Sequence, residues 1–395
     1  MSHQTVFFAG STGIAQLATI CIYVLTARLS SVAEYGGVVS SVALAMTIAG
    51  FIDFGSNSLW VREISAARKA ATEFSGAALT KGIIAAAVAA MWAAVAALAG
   101  LSVGAAIAGT IVFAVVVSQS SAVPIRGALE THMLSVGVIV DRIIALVVYF
   151  ALLASQVAPA VAMVVGLAAG PIAGALTNAS ITRPLERLRA WSVPANPWHG
   201  ARYLGLASIA VSAQSMDTPL LTSIAGADAS GIYGSVSRWT QPMGLLSSAF
   251  ATTVGPFIAQ AGTVRRAWLA LRRAMWLPGL AIAICGLIAA LAPVLVPLVL
   301  GARYADAVPV LQLVALAALL SVLAQPLFTT LQYLSKERVA ARLLGCAVAI
   351  QLLLIALLGS SMGALGAALA SVSSQLIIVV LSAFAVMKMK VEPDE

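Results

Sequence analysis

Long apolar runs alternate with short polar segments from one end of the chain to the other. Each run holds about 20 residues, and a helix of that length, rising 1.5 Å per residue, crosses a hydrocarbon core ~30 Å thick. The pattern predicts an all-α, polytopic membrane protein of about twelve transmembrane helices, six on each side of a longer polar connector. The predicted spans cover residues 5–27, 36–58, 75–100, 104–123, 133–154, 158–180, 202–224, 231–256, 275–299, 306–330, 340–359 and 362–387.

A short pattern recurs about half a chain length later. Tyr35-Gly36 opens the second predicted span, and Tyr233-Gly234 occupies the same place in the eighth. Because many transporters are built from repeated helix bundles, this echo predicts two pseudo-symmetric six-helix lobes. The predicted domains are an N-terminal lobe at residues 1–180, a cytoplasmic interfacial linker at 181–201, and a C-terminal lobe with a short cytoplasmic tail at 202–395.

Composition supports the membrane assignment and removes a rival. The chain is 61% hydrophobic and only 9% charged, whereas soluble domains carry about 25% charged residues. The net charge of +8 would suit nucleic acid, but the basic residues lie in short loops on one side of a membrane, so no nucleic-acid partner is expected. Cys21, Cys285 and Cys346 lie in separate apolar runs and are expected to be small buried hydrophobes, without a disulfide or a metal.

The placement of lysine and arginine predicts the orientation. With a cytoplasmic N-terminus, Arg28 and Arg303 alone lie on the outer side, and Arg142 and Arg238 lie inside spans. Every other basic residue, Lys81 included, is then assigned to the cytoplasmic side. This asymmetry follows the positive-inside rule and requires an even number of spans. We expect a multi-pass protein of a prokaryotic plasma (inner) membrane with both termini cytoplasmic.

Polar side chains recur at helical spacing within several spans, as they would along a cavity. Small polar residues also stabilise ordinary contacts between membrane helices, so packing is the competing explanation for each of them. The uncharged candidates for substrate binding are Gln16 and Tyr23 in span one, Ser212 and Ser215 in span seven, Gln241 in span eight and Gln325 in span ten.

Charged residues inside spans are the sharpest signal, because each costs a few kcal/mol unless it is paired or hydrated. Arg142 in span five and Arg238 in span eight are candidate ligands for a phosphate or pyrophosphate, and Arg28 at the outer end of span one joins the cavity set. The candidates for charge partner or coupling group are Asp217, Asp141 and Asp53. The competing explanations are structural: Asp217 or Asp141 neutralises an arginine across the interface between the lobes, and Asp53 fixes a turn before Gly55 and pairs with Arg62.

Catalytic motifs are missing from the sequence. It contains no paired acidic motif of a metal-dependent glycosyltransferase, no phosphate-cradling GxxxxGK[ST] loop, and no Ser/His/Asp or Cys/His arrangement. We therefore expect a protein that is not an enzyme and that holds no metal or cofactor. Coupling of transport to H⁺ or Na⁺ stays open.

Several segments together resemble a known family. They are Arg28-Leu29 with Glu34-Tyr35-Gly36, the run Phe51 to Gly55 followed by Arg62-Glu63, Asp217 with Leu220-Leu221, the turn Gly231 to Gly234, and the run Gly301 to Ala307. In order and spacing these segments are similar to the polysaccharide transporters, the O-antigen and repeat-unit flippases of the multidrug/oligosaccharidyl-lipid/polysaccharide (MOP) exporter superfamily. The resemblance covers nearly the whole chain.

The resemblance implies two six-helix lobes around a central cavity that rock between inward-open and outward-open states. A polyprenyl-(pyro)phosphate-linked oligosaccharide or related lipid-linked glycan would cross from the cytoplasmic to the outer leaflet, with its lipid tail in the bilayer. Related flippases of lipid-linked peptidoglycan precursors use cavity arginines, and Arg238 lies in a comparable helix. The expected partners are this glycan, the phospholipid bilayer, and glycan polymerase or assembly enzymes; the protein itself is expected to be a monomer.

Two other functions stay open at this point. One is a multidrug or cation antiporter of the same superfamily, which should prefer acidic over basic cavity residues. The other is a non-transporting membrane scaffold of a glycan-synthesis complex, in which charge-neutralising variants would keep full function.

Overall fold

A computed structural model describes residues 3–128, 130–185, 193–240, 242–244, 272, 275–333 and 337–389, and every regular element in these ranges is helical. The helices are α1 (His3–Leu29), α2 (Val32–Asp53), α3 (Ser56–Ser65), α4 (Phe74–Leu98), α5 (Val103–Ile107), α6 (Gly109–Ser121), α7 (Val123–Gly127), α8 (Thr131–Ala154), α9 (Pro159–Leu185), α10 (Arg202–Ala213), α11 (Asp217–Ser237), α12 (Trp276–Leu300), α13 (Ala307–Tyr333), α14 (Glu337–Met362) and α15 (Ala364–Met389).

The predicted spans match the observed helices closely. Ten helical segments in the described ranges are long and apolar enough to cross a membrane. They correspond to predicted spans one to six and nine to twelve, with α5, α6 and α7 together forming the fourth. The all-α polytopic fold is therefore confirmed.

The seventh and eighth predicted spans have a less regular course. Span seven starts as α10, passes through a 3₁₀ turn at Gln214–Met216, and resumes as the first part of α11. Within α11, Gly226 adopts φ 87° and ψ 174°, so the helix is broken where the loop between the two spans was expected. Span eight continues to a 3₁₀ turn at Arg238–Thr240, and most of its remainder lies outside the described residues.

Two compact units divide the chain at Pro219. In the first unit, Met1–Pro219, α8 packs along α9 and α1, while α6 packs against α2, α4 and α9. This unit includes α10, which was predicted to open the C-terminal lobe. In the second unit, Leu220–Glu395, α13 packs along α12 and α15, and α14 packs along α15.

Large apolar side chains are exposed in each of the two units. Leu98 is 90% exposed, and Leu176 and Leu298 are each 67% exposed. A soluble protein rarely leaves extensive apolar surface in contact with water, whereas lipid tails solvate leucine as well as a protein core does. These exposed leucines, on three different long helices, therefore fit a surface that faces lipid.

The prediction that all three cysteines are buried is correct for one of them. Cys285 is buried, while Cys21 and Cys346 are exposed, and all three are free thiols. The two exposed cysteines lie on outward faces of α1 and α14, where periodicity alone did not distinguish lipid-facing from core-facing positions.

Candidate functional site

The junction between α2 and α3 is built around Asp53. After this last residue of α2, Phe54 (φ 45°) and Gly55 (φ 66°) both adopt left-handed conformations. A Cβ on residue 55 would lie 2.6 Å from the backbone of Leu204 in α10, so glycine is required for the close approach as well as for the turn. The carboxylate Oδ1 of Asp53 accepts hydrogen bonds from Ser56 Oγ at 3.1 Å and Asn57 N at 3.2 Å, which caps the start of α3.

Lys81 of α4 neutralises Asp53. Its side chain is completely buried, and its Nζ lies 3.2 Å from Asp53 Oδ1 and 3.1 Å from Ser56 Oγ and also donates to Asn57 Oδ1. The Phe74 ring centroid lies 5.2 Å from the same Nζ. We call Asp53, Ser56, Asn57 and Lys81 the junction cluster. Its position shows that Asp53 indeed fixes the turn before Gly55.

Two sequence expectations are corrected here. Arg62 contacts the carboxylate of its neighbour Glu63 at 3.3 Å, and Asp53 pairs with Lys81 instead. Lys81 was assigned to the cytoplasmic loops, but it lies two turns inside α4, which begins at Phe74. The signal that could have found the pair was present: Asp53 and Lys81 are opposite charges embedded in consecutive apolar runs.

The described part of the connector packs on the same junction. Trp198 Nε1 donates to Ile52 O at 2.9 Å, at the end of α2. Thr80 Oγ1 donates to Ala195 O at 2.9 Å, and Ala195 N donates to Gly76 O at 3.2 Å. Trp198, which belongs to the predicted interfacial linker, is thus hydrogen-bonded to the end of α2; Trp191 of the same linker lies outside the described residues.

Another ion pair inside a predicted span lies within α8, where Arg142 Nη2 is 3.5 Å from Asp141 Oδ2. The Asp141 side chain is 12% exposed and that of Arg142 is 26% exposed. Asp141 Oδ1 is buried without a hydrogen-bond partner among the described residues. We call these two residues the seam pair, because they lie where α8 meets α9. Asp141 therefore pairs with its own neighbour in α8, whereas the structural explanation predicted an arginine across the interface between the lobes.

Glycines of α9 make room for Asp141. A Cβ on Gly170 would lie 2.5 Å from both the backbone O and Oδ1 of Asp141, and a Cβ on Gly174 would lie 3.1 Å from Asp141 Cβ. Gly166 approaches Ala145 O in the same way, at 2.9 Å. The three glycines follow one another at intervals of four residues, which places them on one face of α9 and lets the two backbones approach closely.

The polar stripe of α1 consists of five residues at helical spacing and lies partly in a helix contact: Thr12, Gln16, Thr19, Tyr23 and Thr26. Thr26 Oγ1 donates to Tyr149 OH of α8 at 3.0 Å, and Tyr23 is only 3% exposed. Gln16 is partly exposed and Arg28 is exposed. Packing therefore accounts for the two buried residues of the stripe, Tyr23 and Thr26. Substrate binding by Gln16, Tyr23 and Arg28 stays a prediction.

The span-seven candidates lie in or next to the 3₁₀ turn at Gln214–Met216. Ser212 O accepts a hydrogen bond from Thr47 Oγ1 at 3.3 Å, and a Cβ on Gly50 would overlap Ser212 Oγ, so this serine lies in the contact between α10 and α2. Ser215 is partly exposed within the 3₁₀ turn. Asp217 begins α11, and its Oδ1 accepts from Thr218 N at 2.6 Å and from Thr218 Oγ1 at 3.1 Å.

The remaining candidates belong to the second unit. Arg238 begins the 3₁₀ turn after α11 and is partly exposed. Gln325 Nε2 donates to Thr329 Oγ1 of the same helix, α13, at 3.4 Å. Gln241 lies outside the described residues. Substrate contacts by Arg238, Gln241 and Gln325 stay predictions.

Comparisons with known proteins bear on the fold. No protein-family model and no curated protein sequence matches the chain. Among solved structures, one described as the lipid II flippase MurJ in an inward closed conformation is similar, with a TM-score of 0.74, 14% sequence identity, and coverage of 97% of this chain and 87% of that chain. An inward-facing multidrug resistance MATE family transporter of the MOP superfamily gives a TM-score of 0.63 at 15% identity, covering 100% and 97%.

A third similar structure is a MOP superfamily transporter from Pyrococcus furiosus, described as having a binding pocket of reverse polarity. Its TM-score is 0.62 at 13% identity, with coverage of 97% of this chain and 96% of that chain. Between 97% and 100% of this chain is covered in the three cases, so the chain shares the fold of the MurJ and MATE transporters. At these identities the likeness establishes the fold and leaves the substrate to be argued from the residues.

Proposed function

We propose that this protein is a flippase that moves a polyprenyl-(pyro)phosphate-linked oligosaccharide, or a related lipid-linked glycan, from the cytoplasmic to the outer leaflet by alternating access. The observation that carries the proposal is the fold likeness to a lipid II flippase, with a TM-score of 0.74 over 97% of the chain. The MATE and other MOP structures give TM-scores from 0.57 to 0.63.

The chemistry of the seam pair supports an anionic substrate. A guanidinium carries five N–H donors, and the contact with Asp141 involves only Nη2 of Arg142. The remaining donors suit the oxygens of a phosphate, which arginine often binds in a bidentate manner. In this proposal Arg142 and Arg238 hold the phosphates, and the uncharged candidates of spans one, seven and eight contact the sugars: Gln16, Tyr23, Ser212, Ser215 and Gln241.

A multidrug or cation antiporter is the second candidate. The fold likeness to a MATE transporter covers 100% of the chain, and Asp141 offers a buried carboxylate oxygen without a hydrogen-bond partner among the described residues, which suits a cation or a proton. The flippase remains the better proposal, because an arginine directly follows Asp141 and is the more exposed member of the pair.

The cellular setting is part of the proposal. We infer a multi-pass protein of a prokaryotic inner membrane with both termini cytoplasmic, working as a monomer beside glycan polymerase or assembly enzymes. Coupling to H⁺ or Na⁺, through Asp141 or Asp217, is left to experiment.

The deciding experiment is performed on lipid extracts and intact membranes of a deletion strain. The flippase proposal expects a completed lipid-linked glycan to accumulate facing the cytoplasm, and wild-type protein to clear it. A glycan that is never completed would assign the protein to synthesis, as an enzyme or scaffold. Unchanged lipids together with lower drug tolerance would support the antiporter.

A further inference from the structure

The junction cluster contains a positive charge that the proposed function does not use. Lys81 is fully buried, and its ammonium has three N–H donors and no acceptor. Three oxygens of different chemistry surround it: the carboxylate of Asp53, the hydroxyl of Ser56 and the side-chain carbonyl of Asn57. Donors and acceptors therefore match in number, and no donor of the ammonium is left over.

The Asp53 and Ser56 oxygens are held by hydrogen bonds that do not involve Lys81. Asp53 Oδ1 already accepts from Ser56 Oγ and Asn57 N in the first turn of α3. On the other side, Trp198 Nε1 is bound to Ile52 O, next to Asp53 in the chain. A preorganised set of oxygens binds a cation without having to be ordered first. The cluster thus has the construction of a cation site into which α4 inserts a side chain.

We propose that Asp53, Ser56 and Asn57 form a monovalent-cation site whose resident ion is the ammonium group of Lys81. The tethered cation takes the place of a dissociable one, so the α2–α3 junction is charge-balanced without an ion from solution. It follows that removing the ammonium, while leaving the space, opens the site to a free cation. This inference stands on the first unit alone and does not depend on what the protein transports.

The distances between Nζ and the cluster oxygens also predict which free cations should bind best. Two of the oxygens lie 3.1 and 3.2 Å from Nζ, which is the length of an N–H···O hydrogen bond. Metal ions that prefer oxygen, such as Mg²⁺ and Ca²⁺, require about 2.0–2.6 Å, so a bare ion would have to draw the Asp53 and Ser56 oxygens inward, although the Asn57 carbonyl oxygen already lies closer than these two. Free ammonium should therefore bind best, a small alkali ion such as Na⁺ should bind less well, and the bulky choline cation should not fit.

Thermal unfolding of the purified full-length protein tests the proposal, in ammonium, sodium or choline chloride at equal ionic strength. The Lys81→Ala variant should gain a saturable rise in Tm on the order of 2 °C or more when ammonium replaces choline. Wild type should show no such difference. Lys81→Met, which fills the space without a charge, and the double variant Asp53→Asn/Lys81→Ala, which lacks the carboxylate, should both be insensitive.

Two results would overturn the proposal. One is a Lys81→Ala variant that responds to ammonium and sodium no more than wild type does. The other is an equal response in Asp53→Asn/Lys81→Ala, which would mean a general salt effect. If Lys81→Ala unfolds on extraction, its yield of monodisperse protein is compared after extraction in ammonium and in choline chloride. Equal yields contradict the proposal, and a higher yield in ammonium that Asp53→Asn/Lys81→Ala lacks supports it.

Discussion

The junction cluster and the seam pair both place opposite charges inside an apolar helix bundle, but they are built differently. Lys81 and Asp53 come from different helices, 28 residues apart in the chain, and Lys81 is fully buried with a partner for each donor. Asp141 and Arg142 are neighbours in one helix, Nη2 of the arginine lies 3.5 Å from Oδ2 of the aspartate, and the arginine side chain is 26% exposed.

The contrast separates a structural role from a binding role. A buried charge that loses its partner costs several kcal/mol, so the junction cluster must stay intact for α2, α3 and α4 to keep their arrangement. The seam pair is looser, because one carboxylate oxygen has no hydrogen-bond partner among the described residues and the guanidinium keeps donors for another ligand. We therefore expect changes at the junction to alter stability and changes at the seam to alter transport.

The largest effect is expected for Lys81→Ala in a medium without ammonium. This change leaves the Asp53 carboxylate buried without its cation, and we expect the free energy of unfolding to fall by about 3–5 kcal/mol. The measurement is denaturant or thermal unfolding in detergent. In Asp53→Asn/Lys81→Met both charges are gone, so most of the loss should be recovered. A single variant as stable as wild type would break the comparison.

Arg142→Ala is expected to reduce transport rather than stability. Hydrogen bonds to charged groups contribute about 1.5–3 kcal/mol, so phosphate-dependent flipping should fall roughly 10- to 100-fold. The free energy of unfolding should fall by less than in Lys81→Ala, because the Arg142 side chain is 26% exposed and its contact with Asp141 is 3.5 Å long, whereas Lys81 is fully buried. Arg142→Lys should restore only part of the activity, because a lysine cannot form the bidentate contact.

The matched control for Arg142 is Arg68→Ala. The Arg68 side chain is 66% exposed and contacts Glu63 at 3.5 Å, so its removal takes away an equal charge from the surface. Flipping in a reconstituted lipid assay, normalised to protein amount, should be unchanged in this variant. Equal losses in both variants would mean that total positive charge, not the seam pair, sets the rate.

The glycine face of α9 supports the seam pair by packing, and Gly170→Ala tests it. The added Cβ would lie 2.5 Å from the backbone and carboxylate oxygens of Asp141, so we expect the free energy of unfolding to fall by about 1–3 kcal/mol. Gly82→Ala in α4 is the control, because nothing lies within 4 Å of that Cβ. It should be neutral or gain up to about 1 kcal/mol from helix propensity. Equal effects would mean that Asp141 is not tightly enclosed.

Sequence patterns predicted the helices well because hydrophobicity along a membrane span is a local property. They predicted the seam pair only as two adjacent charges, since the space that Gly170 leaves for Asp141 depends on how α8 and α9 meet. They missed the role of Lys81 because the positive-inside rule assigns a lysine near the end of a span to the loop. The positive-inside rule contains no information on contacts between spans, so it could not predict that Asp53 of the preceding span lies within hydrogen-bond distance of Lys81.

The polar stripe of α1 shows the same limit. Its period correctly predicted one shared face, but Thr26 and Tyr23 on that face are buried, with Thr26 bound to Tyr149. Polar spacing alone is equally consistent with a cavity and with a helix contact, because both place hydroxyl groups on one side of a helix. Only the position of α8 distinguishes them for these residues.

The smallest loss of stability is expected at the uncharged hydrogen bond between α1 and α8, which joins Thr26 and Tyr149. Thr26→Val removes the hydrogen bond to Tyr149 OH while keeping the shape of the side chain, and pairs of this kind in membranes contribute about 0.6 kcal/mol. Tyr149→Phe should cost about this amount, and Thr26→Val somewhat more, because Thr26 Oγ1 also lies 2.8 Å from Ile22 O. The double variant should cost little more than Thr26→Val alone, since both single changes remove the Thr26–Tyr149 bond. Unfolding of the four proteins gives the coupling energy directly. If the seam pair acts through its charge, flipping should remain at the wild-type rate in Thr26→Val. A loss as large as that in Arg142→Ala would instead mean that the packing of α8 against α1, and not the guanidinium, limits transport.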